Sequence, residues 1–496
     1  MKREYLPIEA LPAWSKLNGI SFNGVAFERF QAEDGTDKGS GVVATEEKYN
    51  GDPESEESKP EFLITVPPDM VLSLDLVQNY AKSDRYLREV LEAVGDYGKT
   101  ARGAILIFLL LHITYSSPDF ENVPYKIGVS NPWSEYIKFL PASVPLPTFY
   151  TEEEHELLYG TSLKAAVDAK ISSLEKEFDL LRESTQSIAW CERVWWGVET
   201  GKLTLDDWKQ VDAMYRSRAL DLPGTGHAMV PCIDMANHSS GDATVALYET
   251  DSEGNAVLQL RWGKKLRPRD EVTITYGDEK GASEMIFSYG FLESEVNNAR
   301  QLFLGLDIPD DDPLKPAKKI YCQDAPGVRL FLPQSSEQTD WESGFVWWAC
   351  VNEEDGLDFS VLQTNEGQRE LKATWKGNEI PSSSSLRDII SNDPLWDVFQ
   401  LRAVVFLLER LEGQFAMLQA SYEFVSNAGH DESGTSTGVR SDIYGTIVKL
   451  RKLESELLER GIHDLSKRRD DLLSSETVVA YFSRLAEGPE EEEDFS

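Results

Sequence analysis

Residues 229–241 read MVPCIDMANHSSG and place a thiol (Cys232), a carboxylate (Asp234), an amide (Asn237) and an imidazole (His238) in one short stretch. Side chains of these types serve three kinds of chemistry: metal ligation, attack by a nucleophile with its base, or a polar wall against a small molecule. His227 adds a further metal-binding group. Read as a strand entering a turn, however, the stretch puts Cys232 and Asp234 on one face and His227 on the other. Neither C-x-x-C nor H-E-x-x-H spacing occurs here, and no metal is expected. A reactive thiol needs a neighbour that lowers its pKa, whereas Cys232 sits in an apolar run and reads as a small buried residue. The pocket reading is left, and it depends on what the rest of the chain brings to this stretch.

The chain has 496 residues, 41% hydrophobic and 10% aromatic, enough for two or three domains with sizeable cores. Acidic residues outnumber basic ones 86 to 49, a formal charge of −37. Such a field repels phosphate backbones and anionic lipid and attracts clustered Lys and Arg. Nucleic acid and membrane are therefore disfavoured as partners and a basic protein is favoured, although an acidic surface also serves solubility alone. The four cysteines, Cys191, Cys232, Cys322 and Cys350, form no pairing motif, which points to a reducing compartment, cytoplasm or nucleus. The first residues, MKREYLPIEALPAW, contain no apolar core of signal-peptide length. The most apolar run, AILIFLLLHI at residues 104–113, is half of the roughly 20 residues a membrane-spanning helix needs and reads as a buried helix.

Several elements must position the cluster. Residues 19–68 predict short strands, GISFNGVAFERF, DKGSGVVA and EFLITVPPDMVLS, with the acidic TEEKYNGDPESEESKPE between the last two as a mobile hairpin loop. Helical spacing dominates residues 74–222, as in SLKAAVDAKISSLEKEFDLLRE and LTLDDWKQVDAMYRSRAL. Strands return at HAMVPCIDM, ATVALYE, AVLQLRWGKKL and EVTITYG, so a helical insertion interrupts a strand layer. After residue 292 a connector rich in Pro and Asp leads to mixed segments. Two long helical patterns follow, LWDVFQLRAVVFLLERLEGQFAML and SDIYGTIVKLRKLESELLERGIHDLSKRRDDLL, expected as an antiparallel pair. The loop SNAGHDESGTSTGVRS lies between them, and a solvated acidic tail, EGPEEEEDFS, ends the sequence. Trp195, Trp196, Trp347 and Trp348 are expected in the core.

Four weak features now stand in one order: DKGSGVVA, whose glycines let a backbone approach a ligand, then DMANHS, then TITYG, then SYGFL. In that order and spacing they resemble the SET-domain methyltransferases. NPWSEYIKFLPASVPLPTFYTEEEHELLYGTSL and YRSRALDLPG extend the resemblance to the subgroup of the Rubisco large-subunit, ribosomal-protein lysine and actin-histidine methyltransferases. The resemblance covers about residues 16–292. It implies an α+β architecture: a β-rich SET fold with pseudoknot-like threading at 16–292, a helical insertion at about 74–222, and a mainly helical, substrate-binding-like domain at 293–496. The cysteine-rich zinc cluster of many histone enzymes is absent, which fits the subgroup without metal.

The resemblance implies S-adenosylmethionine as methyl donor. It assigns donor contacts to the backbone of Gly39, Ser40 and Gly41, to Arg218, to the Asn237 amide, to the His238 main chain, to Tyr276 and to Phe291 beside the adenine. Tyr276 matches the catalytic tyrosine, and Tyr289 an aromatic of the substrate channel. The actin-histidine enzyme carries a tryptophan just before the DM pair and an asparagine two residues after the arginine. This chain has Ile233 and Leu220 at those positions, and aliphatic walls suit the stem of a lysine. The expected activity is lysine N-methylation of a basic protein, a ribosomal protein or translation factor, by a monomer in the cytoplasm or nucleus. The alternatives are a protein-histidine methyltransferase and a non-catalytic SET-fold module that binds basic proteins.

Overall fold

A central strand that is covered on both faces carries apolar residues almost without interruption, and FLITV at Phe62–Val66 and AVLQL at Ala256–Leu260 have that pattern. In the computed structural model these two are the inner strands of an antiparallel sheet ordered Ser21–Phe22, Phe62–Val66, Ala256–Leu260, Ala246–Thr250. The structure describes all residues except 32–36, 52–58, 121–126, 198–202, 324, 335, 364–368, 429–437 and 488–496. Much of the expected acidic hairpin loop, of the loop before the last long helix and of the acidic tail lies outside the described residues.

The chain divides into two compact units. One comprises Met1–Phe149, Val167–Glu279 and Ile286–Glu293, the other Tyr150–Ala166, Lys280–Met285 and Ser294–Ser496. In the first unit Val25–Gln31 and Asp37–Ala44 pair as an antiparallel hairpin beside the main sheet. DKGSGVVA is thus strand, as expected for the short strands of residues 19–68. Its alternate residues are held by the ladder to VAFERFQ, and tertiary pairing outweighs the weak strand propensity of glycine.

Helices of this unit start where short polar side chains meet their free N–H groups. Ser73 caps Leu74–Ser83, Asp84 caps Arg85–Ala93, Thr100 caps Ala101–Ser116, and Thr204 with Asp207 forms a capping box for Leu205–Arg218. The apolar run lies in Ala101–Ser116, buried continuously from Gly103 to Thr114. Among the described residues no helix is long and apolar enough to cross a membrane. The buried Asp212 carboxylate meets Arg102, Lys170 and Arg216 at 2.6, 2.8 and 3.2 Å. These pairs fix the last turn of Leu205–Arg218, from which Arg218 projects.

In the second unit Trp396–Ala420 and Ser441–Leu473 run antiparallel. Arg451 donates to the Leu418 carbonyl at 2.8 Å, and at the other end Arg468 donates to Gln400 at 2.6 Å. The mixed segments before them form two three-stranded antiparallel sheets. One comprises Gln301–Gly305, Gly327–Phe331 and Asp340–Glu342, the other Leu357–Gln363, Arg369–Trp375 and Asn378–Glu379. Trp195, Trp347 and Trp348 are buried and Trp196 is half-buried.

One buried histidine gives the first unit a pH signature. His112 Nε2 lies 3.0 Å from Asn131 Nδ2 and its Nδ1 lies 3.1 Å from Ser134 Oγ. Burial pushes its pKa down to about 3. Between that value and the unfolded value of about 6.5 the unfolded chain binds the proton and the native one does not, so stability falls as pH drops below 6.5. From pH 7 to 5 this group alone costs about 2 kcal/mol. His112→Gln should lower Tm at pH 7 and show a shallower loss of Tm between pH 7 and 5 in calorimetry. A slope equal to that of the wild type would contradict the assignment.

Candidate active site

Two distant stretches meet on residues 269–276. On one side this segment runs antiparallel to the end of Asp37–Ala44. Arg269 N donates to Ala44 O at 2.7 Å, Ala44 N to Asp270 O at 2.9 Å and Val272 N to Val42 O at 2.8 Å, with Val43 opposite Glu271. On the other side Thr273–Ile274 lies parallel to Asn237–His238, Thr273 opposite Asn237 and Ile274 opposite His238, and Ser239 N donates to Ile274 O at 3.0 Å. Parallel neighbours require a long crossover, supplied here by a connection that contains the strands Ala246–Thr250 and Ala256–Leu260. The segment is therefore threaded between two others.

Threading places Tyr276 against the opening cluster. Its backbone N–H donates to His238 Nδ1 at 3.0 Å and its hydroxyl donates to the Ala236 carbonyl at 2.9 Å. Its ring stacks on His238, centroids 5.1 Å apart and planes at 24°, and meets Tyr289 at 4.5 Å. Tyr289 donates its hydroxyl to the Tyr276 carbonyl at 3.3 Å, and Phe291 approaches His238 at 6.2 Å. Burial raises the Tyr276 phenol well above its ordinary pKa, with the Arg218 guanidinium opposing. Burial also pushes Tyr289 up to about 12. Both phenols are neutral at physiological pH.

Two polar groups flank these rings. Asn237 Nδ2 donates to Glu271 Oε1 at 2.7 Å and lies over Gly41. A Cβ built on Gly41 would fall 2.7 Å from that nitrogen and 2.4 Å from Phe30 Cε2, so only glycine leaves the approach open. Arg218 donates to the Asp234 carbonyl at 2.8 Å and stands 3.9 Å from Asp234 Oδ2. Arg218 Nε and Asp234 Oδ2 are both buried without a hydrogen-bond partner among the described residues. Burial pushes the Asp234 carboxyl up to about 6, against the pull of Arg218 and of the Tyr136 hydroxyl that bonds its Oδ1.

The motif itself is not the strand expected from HAMVPCIDM. Pairing covers only Gly226–Ala228 and a bridge at Met229. The chain then turns at Cys232, whose φ is +72°, into a short 3-10 helix, Ile233–Met235. The cause is local: the Cys232 N–H donates to Tyr136 Oη at 2.9 Å and its thiol lies 3.4 Å from Ser15 Oγ. Cys232 and Asp234 therefore do not share a strand face, and burial raises the thiol pKa.

Of the residues singled out in sequence, the structure brings together Gly41 with Asn237, and His238 with Tyr276, Tyr289 and Phe291. Arg218 reaches Asp234 on the same motif. Gly39 and Ser40 continue the strand of Gly41, paired with Phe30 and Arg29, and Gly39 has φ +85° with open space where a side chain would begin. Leu220 and Ile233 are buried in the core cluster against which Tyr276 packs. Sequence reasoning missed Glu271, Glu293, Ala236 and Tyr136. Glu271 stands inside EVTITYG and Glu293 directly follows SYGFL, so both were visible as acids beside motif residues. Nothing in the local sequence marks Tyr136.

No family model matches the chain. It is 29% identical over 354 residues to SET domain-containing protein 8 of Schizosaccharomyces pombe, covering 71% of this chain and 75% of that protein. It is 20% identical over 483 residues to actin-histidine N-methyltransferase of Xenopus tropicalis, covering 94% and 71%. A 29% match over 188 residues to the [fructose-bisphosphate aldolase]-lysine N-methyltransferase of Arabidopsis thaliana covers 36% of this chain and 37% of that enzyme. The crystal structure of the SET domain of LSMT, bound to methyl-lysine and AdoHcy, superposes with a TM-score of 0.61 at 16% identity over 98% of this chain and 96% of that one.

The tight fit at Gly41 gives a test that is independent of any assigned activity. Gly41→Ala should destabilise the protein by about 1–3 kcal/mol, because Phe30 and Asn237 must both yield to the methyl group; urea unfolding measures it, and unchanged stability would contradict the packing described. The threaded crossing, the order of its motifs, the fold shared over almost the full length and the kind of relatives found agree: the chain has the SET fold and is similar to proteins named as SET-domain proteins and protein methyltransferases.

Proposed function

We propose that the protein is an S-adenosylmethionine-dependent protein-lysine N-methyltransferase that acts on a basic protein. The observation that carries this reading is the neutral, buried Tyr276 phenol, fixed between the Ala236 carbonyl and the His238 ring beside the amide of Asn237 and the guanidinium of Arg218. Relatives named as lysine methyltransferases support it.

The residues fit the donor. Gly41 brings its backbone against the Asn237 amide, which a Cβ would strike, and the buried, unpartnered Arg218 Nε suits a carboxylate. Arg218 and the Asn237 amide would hold the amino-acid end of the donor, the backbone of Gly39, Ser40 and Gly41 its flank, and the His238 main chain with Phe291 the adenine. When bound, S-adenosylmethionine supplies an electrophilic methyl on a positive sulfur.

The acceptor must be a neutral amine. A lysine of ordinary pKa, about 10.4, is neutral at pH 7 in only about one molecule in two thousand, a cost of about 4–5 kcal/mol. A dry aromatic surround disfavours the ammonium form, and Tyr276, His238 and Tyr289 provide one. The Tyr276 oxygen and the Ala236 carbonyl then stand where they orient the amine. The aliphatic Ile233 and Leu220 offer no partner to an imidazole nitrogen, which favours lysine over histidine. The charge of −37 favours an acceptor rich in Lys and Arg; ribosomal proteins or translation factors are the proposed class, met in the cytoplasm or nucleus by a monomer. The proposed division of labour gives methyl transfer to 16–292 and acceptor binding to 293–496.

The test is incubation of the full chain with methyl-tritiated S-adenosylmethionine and a cell extract, followed by acid hydrolysis of the labelled protein. Label is expected in methyl-lysine, and Tyr276→Phe should reduce transfer by about 100-fold or more while donor affinity stays within a few-fold. Label confined to methyl-histidine would overturn the lysine assignment. Donor binding without transfer in the wild type would favour a binding module.

A further inference from the structure

Glu271 lies on the threaded segment opposite Val43, and its carboxylate meets the Asn237 amide. Asn237 Nδ2 donates to Oε1 at 2.7 Å, and neither side chain has another hydrogen bond among the described residues. A carboxylate only accepts, so the amide must present its nitrogen to it and not its oxygen. The same nitrogen is packed over Gly41, where a Cβ would begin 2.7 Å from it. Both contacts occupy the nitrogen's side of the amide and leave Oδ1 as its free pole. The other acid beside a motif, Glu293, is committed to Ser240, whose N donates to Oε1 at 3.1 Å and whose Oγ donates to Oε2 at 2.7 Å.

We infer that Glu271 is a positioning residue for the methyl donor: by holding Nδ2 it fixes the Asn237 amide with Oδ1 as the free acceptor, and so commits that atom to the ammonium of the donor's amino-acid end. The Arg218 guanidinium, whose Nε is unpartnered, is the complementary group for the carboxylate of the same end. One acceptor and one cation then set the direction in which that end lies. Without Glu271 the amide is free to turn over, and an NH2 group facing an ammonium sets donor against donor. The inference rests on the donor-pocket reading for its effect on binding, but the pairing of Glu271 with Asn237 does not.

Two readouts separate these. The first is calorimetric titration of the full chain with S-adenosylhomocysteine, which carries the amino-acid end, and with 5′-methylthioadenosine, which lacks it. Glu271→Leu should weaken S-adenosylhomocysteine by about tenfold and methylthioadenosine by less than about twofold. Glu271→Gln, whose carbonyl still accepts from Nδ2, should stay within about threefold of the wild type for both. The second is the Tm without ligand. Asn237→Asp sets two carboxylates face to face and should lower Tm by about 3 °C at pH 8; adding Glu271→Gln, whose amide donates to the carboxylate placed there, should recover most of the loss. Equal losses for the two ligands in Glu271→Leu, or an unchanged S-adenosylhomocysteine affinity, overturn the inference. So does a Glu271→Gln as weak as Glu271→Leu, which would make Glu271 a charge for the ammonium and not a support for the amide. A double variant no more stable than Asn237→Asp refutes the pairing itself. A wild type that binds neither ligand, with Tm behaving as stated, refutes the donor pocket and the positioning role with it, and leaves the pairing standing.

Discussion

The site depends on one short parallel pairing, Thr273–Ile274 beside Asn237–His238. Two residues of ladder contribute little alone, since each hydrogen bond adds about 0.5–1.5 kcal/mol net. The pairing persists because residues 269–272 are also bonded to Val42 and Ala44. A segment held on both edges cannot slip by one residue without turning all its side chains over. The register then decides that Tyr276 faces His238, that Glu271 reaches Asn237, and that Asn237 covers Gly41.

The same threading sets the electrostatics. Tyr276 is neutral because it is buried, not because a base or acid acts on it, and Arg218 alone among the named neighbours opposes that shift to a major extent. Asp234, which shares the motif with Asn237, is held by Tyr136 and balances Arg218 from the interior side. The thiol and acid residues of the motif are structural: Cys232 and Asp234 both meet Tyr136 and shape the turn that carries the amide and the imidazole.

What was legible in sequence follows from what is local. The strands FLITV and AVLQL, the capped helices and the buried run in Ala101–Ser116 all follow from patterns within one element, and the site motifs were recognised because their residue types are unusual. Glycine-rich DKGSGVVA was legible as one of the short strands of residues 19–68, and its ladder to Val25–Gln31 offsets the weak strand propensity of its glycines. The motif stretch was misread as a strand because Tyr136, nearly a hundred positions away, bonds the Cys232 N–H and bends the chain. The two sheets between residues 301 and 379 were left unassigned because their strands are short and alternate with turns. Glu271 and Glu293 were passed over because an acid beside a motif is common, and only the fold gives each its partner.

The central claim is that the converging segments of residues 39–41, 218, 237–238, 276 and 291 form a donor pocket. Irradiation of the full chain with methyl-tritiated S-adenosylmethionine, followed by peptide mapping, addresses it most directly. The account predicts label on peptides that carry Asn237 and His238 or Tyr276, and its loss in the presence of excess S-adenosylhomocysteine. Label confined to residues 294–496, or label that the competitor does not displace, would contradict it.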